Sequence, residues 1–184
     1  LLTNAPRPNK VVKTILEKMG MSKEIRDKVY SSGEASLSYL KKNYSNKLFY
    51  HIGPSRDFDL FSDFKRNKSK YIKDSQYLLC TGLFEEQEDD LNYFKELLKE
   101  HIDKIMICTN PDLIVDKGSR RELCAGSVAL VFEKMGGEVI YFGKPFPEVY
   151  NQAINSKGKR VLSIGDNLNT DIKGANLLNY NSLI

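Results

Sequence analysis

Three groups of residues carry side chains that could hold or transfer a charged oxygen group. The apolar run Arg160-Val161-Leu162-Ser163-Ile164 leads straight into Gly165-Asp166-Asn167-Leu168-Asn169-Thr170-Asp171. Two carboxylates therefore fall at a strand's carboxyl end and in the turn entering the next helix. Magnesium takes hard oxygen ligands and keeps several waters, so one or two carboxylates on a loop suit it. Asp171 is equally suited to charging the start of a helix. Upstream, Tyr141-Phe142-Gly143-Lys144-Pro145 sets a lysine at the end of another short strand, ahead of a helix with Pro147 near its first turn. A lysine there can neutralise phosphate and stabilise charge shared between a carboxylate and a phosphoryl group, whereas an isolated lysine is ordinarily a solvated surface charge. The third group is Leu1-Leu2-Thr3-Asn4, an apolar strand ending in a hydroxyl. Thr3 could donate to a phosphate oxygen and the following N–H groups could add to it, although Thr-Asn before a Pro-rich turn is also good turn chemistry.

Other reactive side chains offer less. Cys80, Cys108 and Cys124 are far apart, with no Cys-x-x-Cys pair, which speaks against structural zinc and against a disulfide framework. Cys80 and Cys108 each close an apolar run, where a buried thiol is ordinary packing. His51 and His101 are the only histidines, too few for a histidine-rich metal site and poor material for a Ser-His-Asp hydrolase. His51 receives no role.

The elements that must position these residues follow from hydrophobic spacing. Val11, Val12, Ile15, Leu16 and Met19 recur at helical intervals and Gly20 stands where a C-terminal cap belongs. Lys28 to Tyr30 reads as a short strand, and Ser31-x-x-Glu34 as a capping box before a helix containing Ala35, Leu37 and Leu40. Strands are expected over 47–52, 77–80, 104–108, 138–142 and 160–164, with a polar stretch after the first of them. Helices are expected around Leu91 to Leu98, over 127–135 ending at Gly136-Gly137, over 147–155 and over 170–177. Strands alternating with helices imply βαβ units and a mostly parallel sheet, in which chemistry gathers at the strands' carboxyl ends.

The 184 residues, 41% hydrophobic, suffice for one domain or for a core with a modest insertion. No run of about 18 apolar residues and no basic-then-apolar N-terminus is present, so neither a membrane span nor a signal peptide is readable, which favours a cytoplasmic protein. The net charge of +4 is mild. Lys65, Arg66, Lys68, Lys70 and Lys73 interleave with Tyr71, but Glu85, Glu86, Glu88, Asp89 and Asp90 follow with the opposite sign. A solvated loop explains the basic run better than nucleic-acid binding does. The chain opens at Leu1 without methionine and stops at Asn181-Ser182-Leu183-Ile184, which reads as a strand beginning; both ends look cut.

Together, Thr-Asn, then Gly-Lys-Pro, then Gly-Asp-x4-Asp resemble, in order, motifs two, three and four of the haloacid dehalogenase superfamily. The long insertion between the second and third is similar to a class II cap. The stretches 2–8, 109–112, 125–129, 136–145 and 164–176 look like class IIA proteins, the relatives of nucleotide, sugar-phosphate and para-nitrophenyl phosphatases. The resemblance implies an α/β fold: a Rossmann-like parallel-sheet core from residues 1–30 and 142–184, incomplete at both ends, interrupted by an α/β cap over 31–141. It implies that Asp166 binds Mg2+ with Asp171 supporting that shell. Lys144 would steady nucleophile and phosphate, and Thr3 with the Asn4 backbone would hold the phosphoryl oxygens. Asn110, Pro111 and Asp112 resemble the cap loop that faces the active site, and the cap would exclude water and select substrate.

The resemblance further implies a magnesium-dependent phosphomonoester hydrolase that acts on a small phosphorylated metabolite through an aspartyl-phosphate. The family's Asp-x-Asp motif precedes the Thr-Asn motif and has no counterpart before Thr3. Its first aspartate attacks phosphorus; its second protonates the leaving group and then activates water. Loss of a nucleophile has cost about a millionfold elsewhere, so the chain as written is expected to be nearly inactive. It is also expected to be marginally stable unless a separate chain supplies the missing N-terminal strand. The alternative is a catalytically dead fragment serving as a binding or regulatory module. A two-component receiver domain has similar residues in the wrong order, with its acidic residues before the Thr and Lys.

Overall fold

Along the middle of the chain, apolar side chains alternate on two faces of the same strands. In the computed structural model, which describes residues 1–154 and 160–184, β3 (Phe49–Ile52), β4 (Tyr77–Cys80), β5 (Ile105–Cys108) and β8 (Glu138–Tyr141) form a four-stranded parallel sheet in the order β3-β4-β5-β8. Phe49, Tyr77, Leu79 and Ile107 face one side, where they pack on Ala35, Leu37 and Leu40 of α3 (Ser32–Asn43) and on Leu60, Phe61 and Phe64. Ile52, Leu78, Cys80, Met106 and Cys108 face the other, against Phe94 and Leu98 of α4 (Leu91–Leu98) and Val128, Ala129 and Phe132 of α5 (Ala125–Lys134). Burial on both faces is why these strands read as near-continuous apolar runs, and why thiols sit there as packing groups.

The stretch read as polar after β3 is instead 3-10 helical over Ser55–Asn67, in two segments that meet at a kink at Phe61 (φ −123°), and it buries Leu60 and Phe61 almost completely. An antiparallel hairpin of β6 (Ile114–Lys117) and β7 (Arg120–Leu123) also escaped the sequence pattern. So did the short α2 (Lys23–Arg26) after α1 (Asn9–Lys18). The expected strand at 28–30 is displaced to β2 (Tyr30–Ser31). The expected helix over 147–155 is α6, Pro147–Ala153; Asn155 lies outside the described residues.

The remaining strands form two separate parallel ladders. β1 (Leu2–Thr3) pairs with β2, so that Thr3 lies opposite Ser31. β9 (Leu162–Ile164) pairs with β10 (Asn181–Leu183). The expected cap, 31–141, holds the four-stranded sheet, yet Ser31 itself pairs in the β1 ladder. α3 lies between: it packs on β2 and α6 as well as on the 3-10 helix. Among the described residues no helix is long and apolar enough to cross a membrane.

Candidate functional site

The carboxyl ends of β3, β4, β5 and β8 share one edge, because the parallel register continues for one more residue: Thr81 N donates to Ile52 O, Thr109 N to Cys80 O and Phe142 N to Cys108 O. The loops at Asn110–Asp112 and Gly143–Lys144 therefore leave the sheet side by side. The β1 end reaches them from the other ladder. Its loop is pinned by the start of α3, where the Ser31 hydroxyl donates to Arg7 O (2.6 Å) and the Ser32 hydroxyl to Ala5 O (3.0 Å). Gly33 leaves room for the Arg7 backbone at that point.

Asn4, expected to act through its backbone, is 8% exposed and uses its side chain as a three-way clip. Its Oδ1 accepts from Lys144 N at 2.7 Å, and its Nδ2 donates to Lys144 O at 3.0 Å and to Asp112 Oδ1 at 2.8 Å. The clip requires Gly143, whose φ of +127° suits glycine and whose added Cβ would lie 2.6 Å from Pro111 Cδ and 2.7 Å from Asn4 Oδ1. Nothing in the sequence pattern signals the Asn4 side-chain role, since its partners lie 108 and 140 residues away.

Lys144 Nζ donates to Asp171 Oδ1 at 2.6 Å, with the two side chains 17% and 12% exposed. A charge-assisted bond of this length, largely out of water, fixes the ammonium direction. Asp171 is held in turn by Asn167 N, which donates to its Oδ2 at 3.3 Å, and by Gly165, which leaves space for the carboxyl group. Asp166, next to Gly165, is exposed and has no hydrogen bond or ion pair among the described residues. Thr3 Oγ1 accepts from Ala5 N at 3.3 Å and keeps its own proton to donate. Asn110 Oδ1 accepts from Asp112 N at 3.0 Å, which shapes the cap loop. Gly126 of α5 lets that loop's Pro111 and Asp112 carbonyls approach the helix. Burial raises the Asp112 carboxyl pKa, opposed by the hydrogen bond from Asn4 and by the Lys144 charge.

Asn4, Asp112, Lys144 and Asp171 are thus one hydrogen-bonded group, with Thr3 next to Asn4 in the chain and Asp166 next to Gly165. As a cation site, Asp166 has both carboxylate oxygens free, while Asp171 Oδ1 and Oδ2 are engaged by Lys144 and Asn167. No cluster of three or more His, Cys, Asp or Glu side chains able to hold a metal gathers among the described residues, at this site or away from it. The donor set fits an ion that takes one carboxylate directly, a second at the margin, and fills its remaining positions with water.

Comparison with known proteins agrees with this architecture. Residues 141–184, which hold Lys144, Asp166 and Asp171, match the HAD-hydrolase-like family model. A haloacid dehalogenase-like family hydrolase from Brucella suis 1330 superposes with a TM-score of 0.85 at 27% identity, over 99% of this chain and 70% of that one. A glycerol phosphate phosphatase from Mycobacterium tuberculosis, in complex with magnesium, gives a TM-score of 0.72 at 21% identity, over 100% of this chain and 57% of that one; this likeness is one of fold. A dihydroxyacetone phosphatase from Corynebacterium glutamicum (strain R) is 39% identical over 71 residues, 36% of this chain and only 26% of that protein's length. Sheet topology, motif order and these relatives agree in their likeness to the haloacid dehalogenase-like hydrolases, which the family model matches over residues 141–184.

Proposed function

We propose that this chain contributes most of a magnesium-dependent class IIA phosphatase acting on the phosphomonoester of a small metabolite. The observation that carries the reading is the Lys144 Nζ to Asp171 Oδ1 bond of 2.6 Å, with Asn4 clamping both backbone polar groups of Lys144. A cation so held can neutralise a phosphoryl oxygen without reorganising as charge shifts during transfer. Thr3 donates its hydroxyl to a second oxygen, and Asp112 keeps Asn4 oriented. Asp166 would hold magnesium with Asp171 behind it; the ion, when bound, draws off charge from the phosphoryl oxygens.

The attacking aspartate and the general acid of the family would come from outside residues 1–184, upstream of Leu1 or on a separate polypeptide. The separation of the β1–β2 and β9–β10 ladders supports a strand entering between them, and Leu162 and Ile164 on β9 are 56% and 70% exposed. On this reading the 184 residues alone bind phosphate but turn over slowly.

Calorimetry of inorganic phosphate binding to the chain, with and without Mg2+, tests the site directly. Binding should require Mg2+ and should weaken by about tenfold or more in Lys144→Ala and in Asp166→Asn, the loss of one charge-assisted contact. Phosphate binding indifferent to both substitutions would refute the assignment. Hydrolysis of p-nitrophenyl phosphate should rise by orders of magnitude when a strand bearing Asp-x-Asp is coexpressed. No rise, with phosphate binding intact, would favour a binding or regulatory module instead.

A further inference from the structure

The amino edge of the four-stranded sheet lies opposite the candidate site and takes no part in anything assigned so far. The segment that leads from the Ser55–Asn67 stretch into β4 is fastened along this edge. Ser69 N donates to Phe49 O at 2.7 Å, Gln76 N donates to Leu48 O at 2.8 Å, and the Lys104 ammonium, just before β5, donates to Ser75 O at 2.6 Å. Inside the segment, the Ser69 hydroxyl donates to Tyr71 O at 2.8 Å and Asp74 N donates to the same carbonyl at 3.2 Å. The backbone that carries Tyr71 is thereby fixed, while its side chain stays 54% exposed.

This edge is strongly basic. Residues 65–73 hold Lys65, Arg66, Lys68, Lys70 and Lys73 and no acidic residue, and Lys47 joins them from the turn before β3. All six cations are exposed, and none makes an ion pair among the described residues. In the sequence, the acidic run from Glu85 to Asp90 follows closely and offsets this charge. In the fold, β4 separates the two, because the basic segment precedes its first residue and the acidic run follows its last. The exposed carboxylates of Asp74, Asp103 and Glu138 lie before β4, β5 and at the start of β8, and against six cations they leave the edge net positive.

Apolar side chains are set among these charges. Leu48, Tyr71 and Ile102, which precede β3, β4 and β5, are 41%, 54% and 41% exposed. Lys70 and Lys73 hold their ammonium groups over the Tyr71 ring, 5.3 Å and 5.9 Å from its centroid. A nucleobase needs an open ring face to stack on, and this ring has cations over it. A phenol ringed by ammonium groups, with aliphatic side chains alongside, suits the headgroup level of a lipid bilayer instead. There the apolar bodies enter the interface while the lysines meet anionic headgroups. We propose that the amino edge of the sheet rests on the surface of an anionic phospholipid bilayer, a peripheral contact that needs no membrane-spanning segment. The candidate site, at the opposite edge, then faces the aqueous side. The proposal does not rest on the phosphatase reading.

The test is co-sedimentation of the full chain with vesicles of phosphatidylcholine alone or of phosphatidylcholine and phosphatidylserine at about 2:1. The chain should bind the anionic vesicles about tenfold or more tightly than the neutral ones, and raising the salt from about 0.1 M to about 0.5 M should release it. Lys70→Glu with Lys73→Glu should weaken binding to the anionic vesicles by about tenfold or more. Lys18→Glu with Lys23→Glu makes the same change of net charge on exposed lysines of α1 and α2, and should weaken it by less than about threefold. In the unaltered chain, anionic vesicles should slow amide hydrogen exchange over residues 69–76 and leave residues 110–112 at the opposite edge unchanged, a readout that needs no variant to fold. Equal binding to both kinds of vesicle, an equal loss in the two double variants, or exchange over 69–76 that stays as fast would overturn the proposal. Release of the chain from the vesicles by single-stranded polyuridylate at equal charge concentration would give the edge to nucleic acid and overturn it as well.

Discussion

At the scale of single residues, the site depends as much on missing atoms as on present ones. Gly143 occupies a backbone region that other residues enter only under strain, and a side chain there would meet both Pro111 and the Asn4 amide. Gly143→Ala should therefore act on two observables: a loss of about 1–3 kcal/mol in unfolding free energy from strain, and weakened phosphate binding as Asn4 is pushed off Lys144. Chemical denaturation and calorimetry read these separately. A variant of native stability and native phosphate affinity would mean that the Asn4 clip does not position Lys144. Within the candidate site, sequence alone drew attention to Lys144 and Asp171, because they sit in short runs whose residue types already suggest ion binding. The Asn4 clip stayed hidden, since it is defined by partners remote in sequence, Asp112 and Lys144.

At the scale of elements, the start of α3 joins the two ends of the site. Ser31 Oγ accepts from Glu34 N at 3.0 Å, the capping bond that the Ser-x-x-Glu spacing foretells. The reciprocal half of the box is replaced: Glu34 accepts from Asn9 N at 2.8 Å, and Ser31 N donates instead to Asn9 Oδ1 at 2.9 Å. The same Ser31 hydroxyl donates to Arg7 O, so it caps a helix and pins the Thr3 loop at once. Ser31→Ala should cost more than an ordinary cap, about 2–3 kcal/mol rather than about 1, because the partly buried Arg7 carbonyl loses its donor as well. Ser31→Thr should recover most of it; a loss below about 0.5 kcal/mol in the alanine variant would show that the loop is held by other means. Strands such as Tyr77–Cys80 were legible because both of their faces are buried and the run is unbroken. The Ser55–Asn67 segment was not, because buried apolar positions such as Leu60, Phe61 and Phe64 are set among charged residues in a stretch that follows no α-helical period. The β6–β7 hairpin gave no alternating pattern for the same kind of reason: Ile114 and Val115 are adjacent, and both are exposed.

At the scale of the whole molecule, burial ties stability to pH, most strongly through His51 on the four-stranded sheet. His51 is 6% exposed, its ring lies 4.5 Å from that of Phe61, and burial, with the nearby Lys68 charge, pushes its pKa down to about 3 from an ordinary 6.5. The unfolded chain therefore takes up a proton below pH 6.5 that the folded chain refuses. The stability held by neutral His51 is complete above that pH and is lost as the pH falls toward 3. At about 1.4 kcal/mol per pH unit, acidification from pH 7 to pH 4.5 should remove roughly 2–3 kcal/mol. Asp57 and Asp112 act in the opposite sense. Burial raises both, so the folded chain takes up their protons first, and acidification through the interval between their raised values and the ordinary 3.8 adds stability. His51→Gln retains a side-chain partner for Thr81 and cannot titrate. Its unfolding free energy, measured in urea at both pH values, should fall by less than half as much as that of the unaltered chain, or rise as the two aspartates dominate. An equal fall in both proteins would place the acid sensitivity elsewhere and leave His51 as packing alone.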